Sequence, residues 1–297
     1  MSLWELLYHQ ISHNGGLIVI YYHLPGLFEY FDLYKVFIDI FQHESYKFRD
    51  VQIGSVYGAP KGCLWNGGRI GYDDGVDVFE VASWAQSHNI NCALTFTNCL
   101  LERSHFKDKN CNALIRLFHR EGNSITIFSN ELKDYIHSIC PKYKFTSSTT
   151  KCLRDLDSII EEARHYDIVV LDYNFNHQEE FLKNLENKDK YELLVNSVCN
   201  PECPRRFEHY VEISEFSLGI REEHLIFCPC QRKKFWEILD NSTVLKIEDI
   251  YRYHEMGFSH FKIEGRTTHF ADLIEILVYY MVKPEYQIEI RQRLTYS

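Results

Sequence analysis

The stretch SITIFSNELKDYIHSICPKYKFTS, residues 124–147, decides the fold. Its ends, SITIF at 124–128 and YKFTS at 143–147, are short apolar runs rich in β-branched and aromatic residues, which favours strands. Between them Leu132, Tyr135, Ile136 and Ile139 recur at three-and-four spacing, the period of one helix face. Strand, helix, strand over so short a length predicts parallel strands joined by a right-handed crossover.

The pattern continues on both sides. Strand-like runs occupy 51–57, 92–97, 167–172, 191–196, 243–247 and 259–264, which with the first two makes eight. Helical spacing fills several gaps, as in Val78, Val81, Ala82 and Ala85, in Leu114, Ile115, Leu117 and Phe118, and in Leu153, Leu156, Ile159, Ile160 and Ala163. The last helix is the clearest: Thr267 or Thr268 can cap it, and Phe270, Leu273, Ile274, Leu277, Val278 and Met281 form one apolar stripe.

Eight such units predict an α/β protein of the (β/α)8, TIM-like barrel type, with a doubly wound open sheet as the alternative. No Pro/Gly/Ser linker or repeat divides residues 1–297, so one domain is expected. Residues 1–48 read as an N-terminal extension, with GGLIVIYYHLPG an extra strand and FEYFDLYKVFIDIFQ a helix against one end of the barrel. Residues 197–242, after the sixth strand of this count, read as a cysteine-bearing insertion too long for an ordinary connection.

Composition narrows the function classes. Hydrophobic residues are 45% and charged residues 25% of the 297, values of a globular protein, and aromatic content stands out at 15%. The net charge of −10 argues against a protein that neutralises long nucleic acid, so RNA as a partner finds no support in the charge. Neither a signal peptide nor an apolar run long enough for a bilayer is evident, which predicts a cytoplasmic protein without membrane association. In a reducing compartment the ten cysteines are not a disulfide framework, and clustered pairs point to metal.

Barrel chemistry gathers at the C-terminal ends of strands and the loops that follow. Those positions carry Tyr57, Trp65, Asn66, Arg69, Asn98, Asn130, Asp172, Asn196, Glu264 and Arg266. Amides with a few acids and arginines suit a polar organic substrate. Tyr57 and Trp65 are candidates to stack a planar ring, and Asp172 is a candidate general base. The bland alternatives are amide turns and caps, aromatic core packing, and a salt-bridged barrel end made by Lys262, Glu264 and Arg266.

The thiols divide into two sets. Cys92, Cys111, Cys140 and Cys152 fall in or beside regular elements and read as small buried hydrophobes. Cys199, Cys203, Cys228 and Cys230 form a Cys-x3-Cys and Cys-x-Cys arrangement across the insertion, able to hold a 4Fe-4S cluster or zinc. Cys63, in the loop after the 51–57 strand, is a reserve ligand.

GFSHFKIEGRTTHFADLIEILVYY and LLVNSVCNPECPRRFEHY resemble, respectively, the closing barrel motif and the cysteine-bearing strand region of the collagenase-like peptidases, family U thirty-two. The order of elements fits from about 51 to 282, with sharp similarity at 191–210 and 259–268. Despite the peptidase label, the resemblance implies a 4Fe-4S protein carrying out oxygen-independent hydroxylation, or a related modification, of an aromatic or nucleobase-like substrate. Glu264 and Arg266 would orient that substrate. The family's glycine- and cysteine-rich signature block is not recognisable, and the cysteine spacing differs. Competing expectations are a metal-dependent peptidase or amidase, and a non-catalytic binding protein shaped by zinc.

Overall fold

A computed structural model describes residues 19–68, 75–222, 234–266 and 268–296. Eight parallel strands close into a barrel in chain order. They are β1 Ile20–Pro25, β2 Val51–Gly58, β3 Cys92–Phe96, β4 Ser124–Ile127, β5 Lys144–Ser147, β6 Ile168–Val170, β7 Tyr191–Leu194 and β8 His260–Lys262. Closure is made by β1 pairing with β8, with Tyr21 opposite His260 and His23 opposite Lys262.

Helices cross from strand to strand outside the barrel: α1 Phe31–His43, α2 Val78–Ser87, α3 Lys109–Leu117, α4 Asn130–Ile139, α5 Leu156–His165 and α6 Glu179–Asn184. Between β7 and β8 the chain makes α7 Arg206–Ser217, α8 Phe235–Ile238 and α9 Ile247–Glu255, and after β8 come α10 Phe270–Met281 and α11 Gln287–Thr295. Four crossovers begin at side-chain caps, where Asp77, Asp108, Ser129 and Asp155 accept from the amides of Phe79, Cys111, Leu132 and Ser158. The stripe expected of the helix after β8 is buried from Leu273 to Met281, but Phe270 at its start is exposed, and α10 begins after His269, which makes no side-chain cap.

Two sequence expectations change. Residues 20–25 are no extra strand but the first stave of the barrel, and Phe31–His43 is the ordinary crossover to β2. TVLKI at 243–247 is not a stave: Val244 makes a single antiparallel bridge to Asn196, and Ile247 opens α9. The cause is local, because the Asp249 carboxylate accepts from the Lys246 amide 2.9 Å away and starts the helix where a strand would continue. The Cys199–Cys203 segment therefore follows the seventh strand.

Pleating sends alternate residues to opposite faces, and here it turns the apolar set outward. Tyr22, Leu94, Ile125, Phe145, Val169, Leu193 and Phe261 join the core between barrel and helices. Their strand neighbours, including His23, Ser55, Thr95, Thr126, Glu192 and Lys262, are buried or half-buried polar groups directed to the barrel axis. A polar barrel interior is costly to fold, so its groups must find partners or a ligand. No helix among the described residues is long and apolar enough to cross a membrane.

Candidate active site at the C-terminal mouth of the barrel

The C-terminal ends of the strands surround a cleft. Its wall is mostly hydroxyl-bearing: Tyr57, Thr95, Thr97, Thr126, Ser148, Thr149, Thr150 and Tyr210. Val170 and Leu194 give it one apolar side, and Lys262, Glu264 and Arg266 carry its charge. Of the residues expected to touch substrate, Tyr57, Glu264 and Arg266 line this mouth.

Below the mouth runs a buried ionic column. Lys262 Nζ donates to Glu192 Oε1 at 2.9 Å, and His23 Nε2 lies 3.4 Å from Glu192 Oε2. His23 Nδ1 is 2.8 Å from the Ser55 hydroxyl, and its Nε2 is 3.0 Å from His260 Nδ1. Parallel register explains the meeting, since His23 lies opposite Ser55 on one side and Lys262 on the other. Burial drives the His23 imidazole down to about 4, with Glu192 opposing, so it is neutral at neutral pH. Burial pushes the Glu192 carboxyl up, but Lys262 and His23 outweigh it and hold it below the usual range. Sequence reasoning named Lys262 in a salt-bridged barrel end with Glu264 and Arg266, but not Glu192 and His23, which are the members it meets in this column.

Arg266 stands above. Its Nη1 donates to Thr95 Oγ1 at 2.9 Å and Asn66 Oδ1 at 3.4 Å, both neutral acceptors. A Cβ at Gly68 would lie 2.3 Å from Arg266 Nη2, so a glycine is what lets the guanidinium settle over this loop. Tyr57 joins the two cations: Lys262 Nζ is 4.2 Å and Arg266 Cζ 5.9 Å from its ring centroid. Its hydroxyl donates to the Ile263 carbonyl at 2.6 Å.

Glu264 is positioned through its backbone. Asn196, buried, donates from Nδ2 to the Glu264 carbonyl at 2.9 Å and accepts from the Glu264 amide at 2.7 Å. Asn196 thus serves as a clamp between β7 and β8 rather than as the expected substrate contact. Asn196→Ala is expected to lower stability by about 1–3 kcal/mol through the two unsatisfied backbone groups, measured by urea unfolding.

Other expected contacts have structural work instead. Trp65 is fully buried, donates from Nε1 to the His105 carbonyl at 2.9 Å and packs edge-on against Phe96, so it is core and not a stacking surface. Asn98, also fully buried, donates to the Leu64 and Ser214 carbonyls and accepts from the Leu100 amide. Exposed Asn130 accepts from Lys151 and Tyr166 on the outside of the barrel. Asp172 is no general base: Oδ2 accepts from Arg206 Nη1 at 2.5 Å, and Oδ1 accepts from the amide and side chain of Asn174. Arg69 lies outside the described residues.

The first cysteine pair borders the mouth. Half-buried Cys199 packs against the small buried cluster formed by Val170, Tyr173 and Leu194, two of whose members, Val170 and Leu194, are the apolar side of the cleft. Cys203 is buried just before α7. Cys228 and Cys230 lie outside the described residues. Cys63 has Cys111 as its sulfur neighbour at 3.7 Å. Among the described residues no group of three or more His, Cys, Asp or Glu side chains is arranged to hold a metal ion. A metal held at Cys199 and Cys203 would take its remaining protein ligands from elsewhere, and Cys228 and Cys230 are the thiols the sequence offers.

No family model and no curated protein matches this sequence. Among solved structures, that of the U32 peptidase Mk0906 is similar, with a TM-score of 0.52 at 12% identity over 85% of this chain and 96% of that one. At such identity the likeness is one of architecture, and architecture alone does not carry activity. The chain therefore shares its barrel with a U32 peptidase over most of its length, and the resemblance read in its KIEGR and CNPEC stretches holds at the level of the fold.

Proposed function

We propose that this barrel is an iron-sulfur enzyme that modifies a small aromatic or nucleobase-like molecule at its C-terminal mouth, by oxygen-independent hydroxylation or a related reaction. The observation that carries the reading is the packing of Cys199 against the buried cluster of Val170, Tyr173 and Leu194, because two members of that cluster, Val170 and Leu194, line the cleft. Half-buried Cys199 and buried Cys203 are soft donors, which suits a 4Fe-4S cluster, with Cys228 and Cys230 as the other ligands. When bound, the cluster would supply one-electron transfer.

The chain's own residues have separate tasks. The Tyr57 ring offers an aromatic face inside the cleft, the serine and threonine hydroxyls hydrogen-bond polar edges, and Arg266 orients the substrate from the rim. Glu264, its backbone fixed by Asn196, is the carboxylate available to accept or return a proton at the mouth. The ion pair with Glu192 holds the Lys262 side chain at the floor.

The test is anaerobic purification of the full chain. Brown protein with broad absorbance near about 400 nm is expected, and Cys199→Ser with Cys203→Ser should bleach it while circular dichroism stays unchanged. Full colour in that variant would remove the ligand assignment. Colourless wild-type protein carrying zinc would replace the reading by a metal-dependent peptidase or amidase, or by a zinc-stabilised binding protein.

A further inference from the structure

The charge of the mouth is unbalanced in a way the proposed reaction does not explain. Among the described residues its lining holds two cations, Lys262 and Arg266, against one carboxylate, Glu264, and of the two cations Lys262 is paired with Glu192 beneath it. Arg266 hydrogen-bonds neutral oxygens of Thr95 and Asn66, and no carboxylate lies within ion-pair distance of it among the described residues. A half-buried guanidinium with neutral partners retains most of its charge for whatever enters, and two of its three nitrogens have no acceptor among the described residues.

The second cation is built with unusual support. Lys262 is 8% exposed, and burying its ammonium costs several kcal/mol unless a partner compensates. Glu192 supplies that partner from below, and neutral His23 and Ser55 extend the support. An apolar pair would fill the same space without the desolvation cost, so the ionic column is weak as a stability device. What it does achieve is to hold an ammonium at the floor of a cleft, against the face of Tyr57. Both cations address that one ring, at 4.2 and 5.9 Å. Threonine hydroxyls stand beside them, and Gly68 leaves the guanidinium room.

We propose that this cluster is an oxyanion site, and that the molecule acted on, or a co-substrate, carries a carboxylate or phosphate group held between Arg266 and Lys262. Arg266 gives the planar, two-pronged contact, Lys262 gives a point charge below it, and the hydroxyl of Thr126 takes a remaining lone pair. Glu192 is a positioning residue that acts through Lys262. The proposal shares the mouth with the iron-sulfur reading but needs no cluster, so the two can fail separately.

Titration calorimetry on the full chain with inorganic phosphate and with benzoate tests it. Saturable binding of at least one probe is expected, phosphate alone indicating a phosphoryl group and benzoate alone a carboxylate. Arg266→Gln should weaken that binding by about tenfold or more, and Gly68→Ala, which crowds the guanidinium, should weaken it in the same direction. Because Lys262→Met leaves Glu192 unpaired and can disturb folding, the double variant Lys262→Met/Glu192→Gln is its control, and it should also lose affinity while folded by circular dichroism. Failure of both probes to bind up to about 10 mM would overturn the proposal. So would unchanged affinity in Arg266→Gln. Either result stands whether the protein is brown or colourless.

Discussion

Arg206→Ala is expected to lower the unfolding free energy by about 3–5 kcal/mol, measured by urea denaturation. The size follows from what is left behind. Asp172 is 3% exposed, and its Oδ2 lies 2.5 Å from Arg206 Nη1. Removing the guanidinium strands a carboxylate in the interior, with Arg154 Nε at 3.5 Å as its remaining cation. Arg206 also places its Cζ 4.1 Å from the Tyr173 ring centroid, donates to Thr149 Oγ1 at 2.8 Å and reaches the Tyr210 hydroxyl at 3.2 Å. Thr149 and Tyr210 line the mouth, so the loss should loosen that wall as well. Replacing both partners, as in Arg206→Met/Asp172→Asn, should recover much of the loss because no unpaired charge remains. A double variant no more stable than the single one would mean that the packing of Arg206, and not its charge, holds the site.

The second large effect is a loss of stability in acid that begins well above the usual carboxylate range. In the unfolded chain His23 takes a proton near 6.5, whereas in the fold burial delays this to about 4. Between those values the unfolded state binds the extra proton, so stability falls as pH drops through this window. The total is on the order of 3 kcal/mol for His23 alone. His260 shifts in the same direction, also chiefly by burial. Glu192 adds a separate, lower window: its folded pKa is depressed, so its contribution is present above its ordinary value of 4.5 and disappears as pH falls through the depressed one. Thermal melts from pH 7 to about 4 should show the decline, and His23→Gln should flatten it between about 6.5 and 4. An equal slope in the variant would place the acid sensitivity elsewhere.

Much of the barrel was legible because four of its middle staves, β3 to β6, alternate with helices whose spacing is regular. The miscount came from two runs of similar appearance. IYYHLP at 20–25 closes the barrel, while TVLKI is diverted by the Asp249 cap, a distinction that depends on pairing between β1 and β8 and not on local propensity. In the site, the strand-end rule found Tyr57, Glu264 and Arg266. It failed for Asn98 and Asn196, because a buried amide satisfies loop backbone as readily as it meets a ligand, and for Trp65, which plugs the core beneath its loop. The ionic column was hidden for another reason: His23, Glu192 and Lys262 lie far apart in sequence and meet only through register.

The most direct test of the central claim, that the mouth of this barrel is backed by a sulfur-ligated redox centre, is the iron and acid-labile sulfide content of anaerobically purified full-length chain. About four of each per chain is the result the account predicts. Iron-free protein that also fails to take up iron and sulfide on anaerobic reconstitution would contradict it.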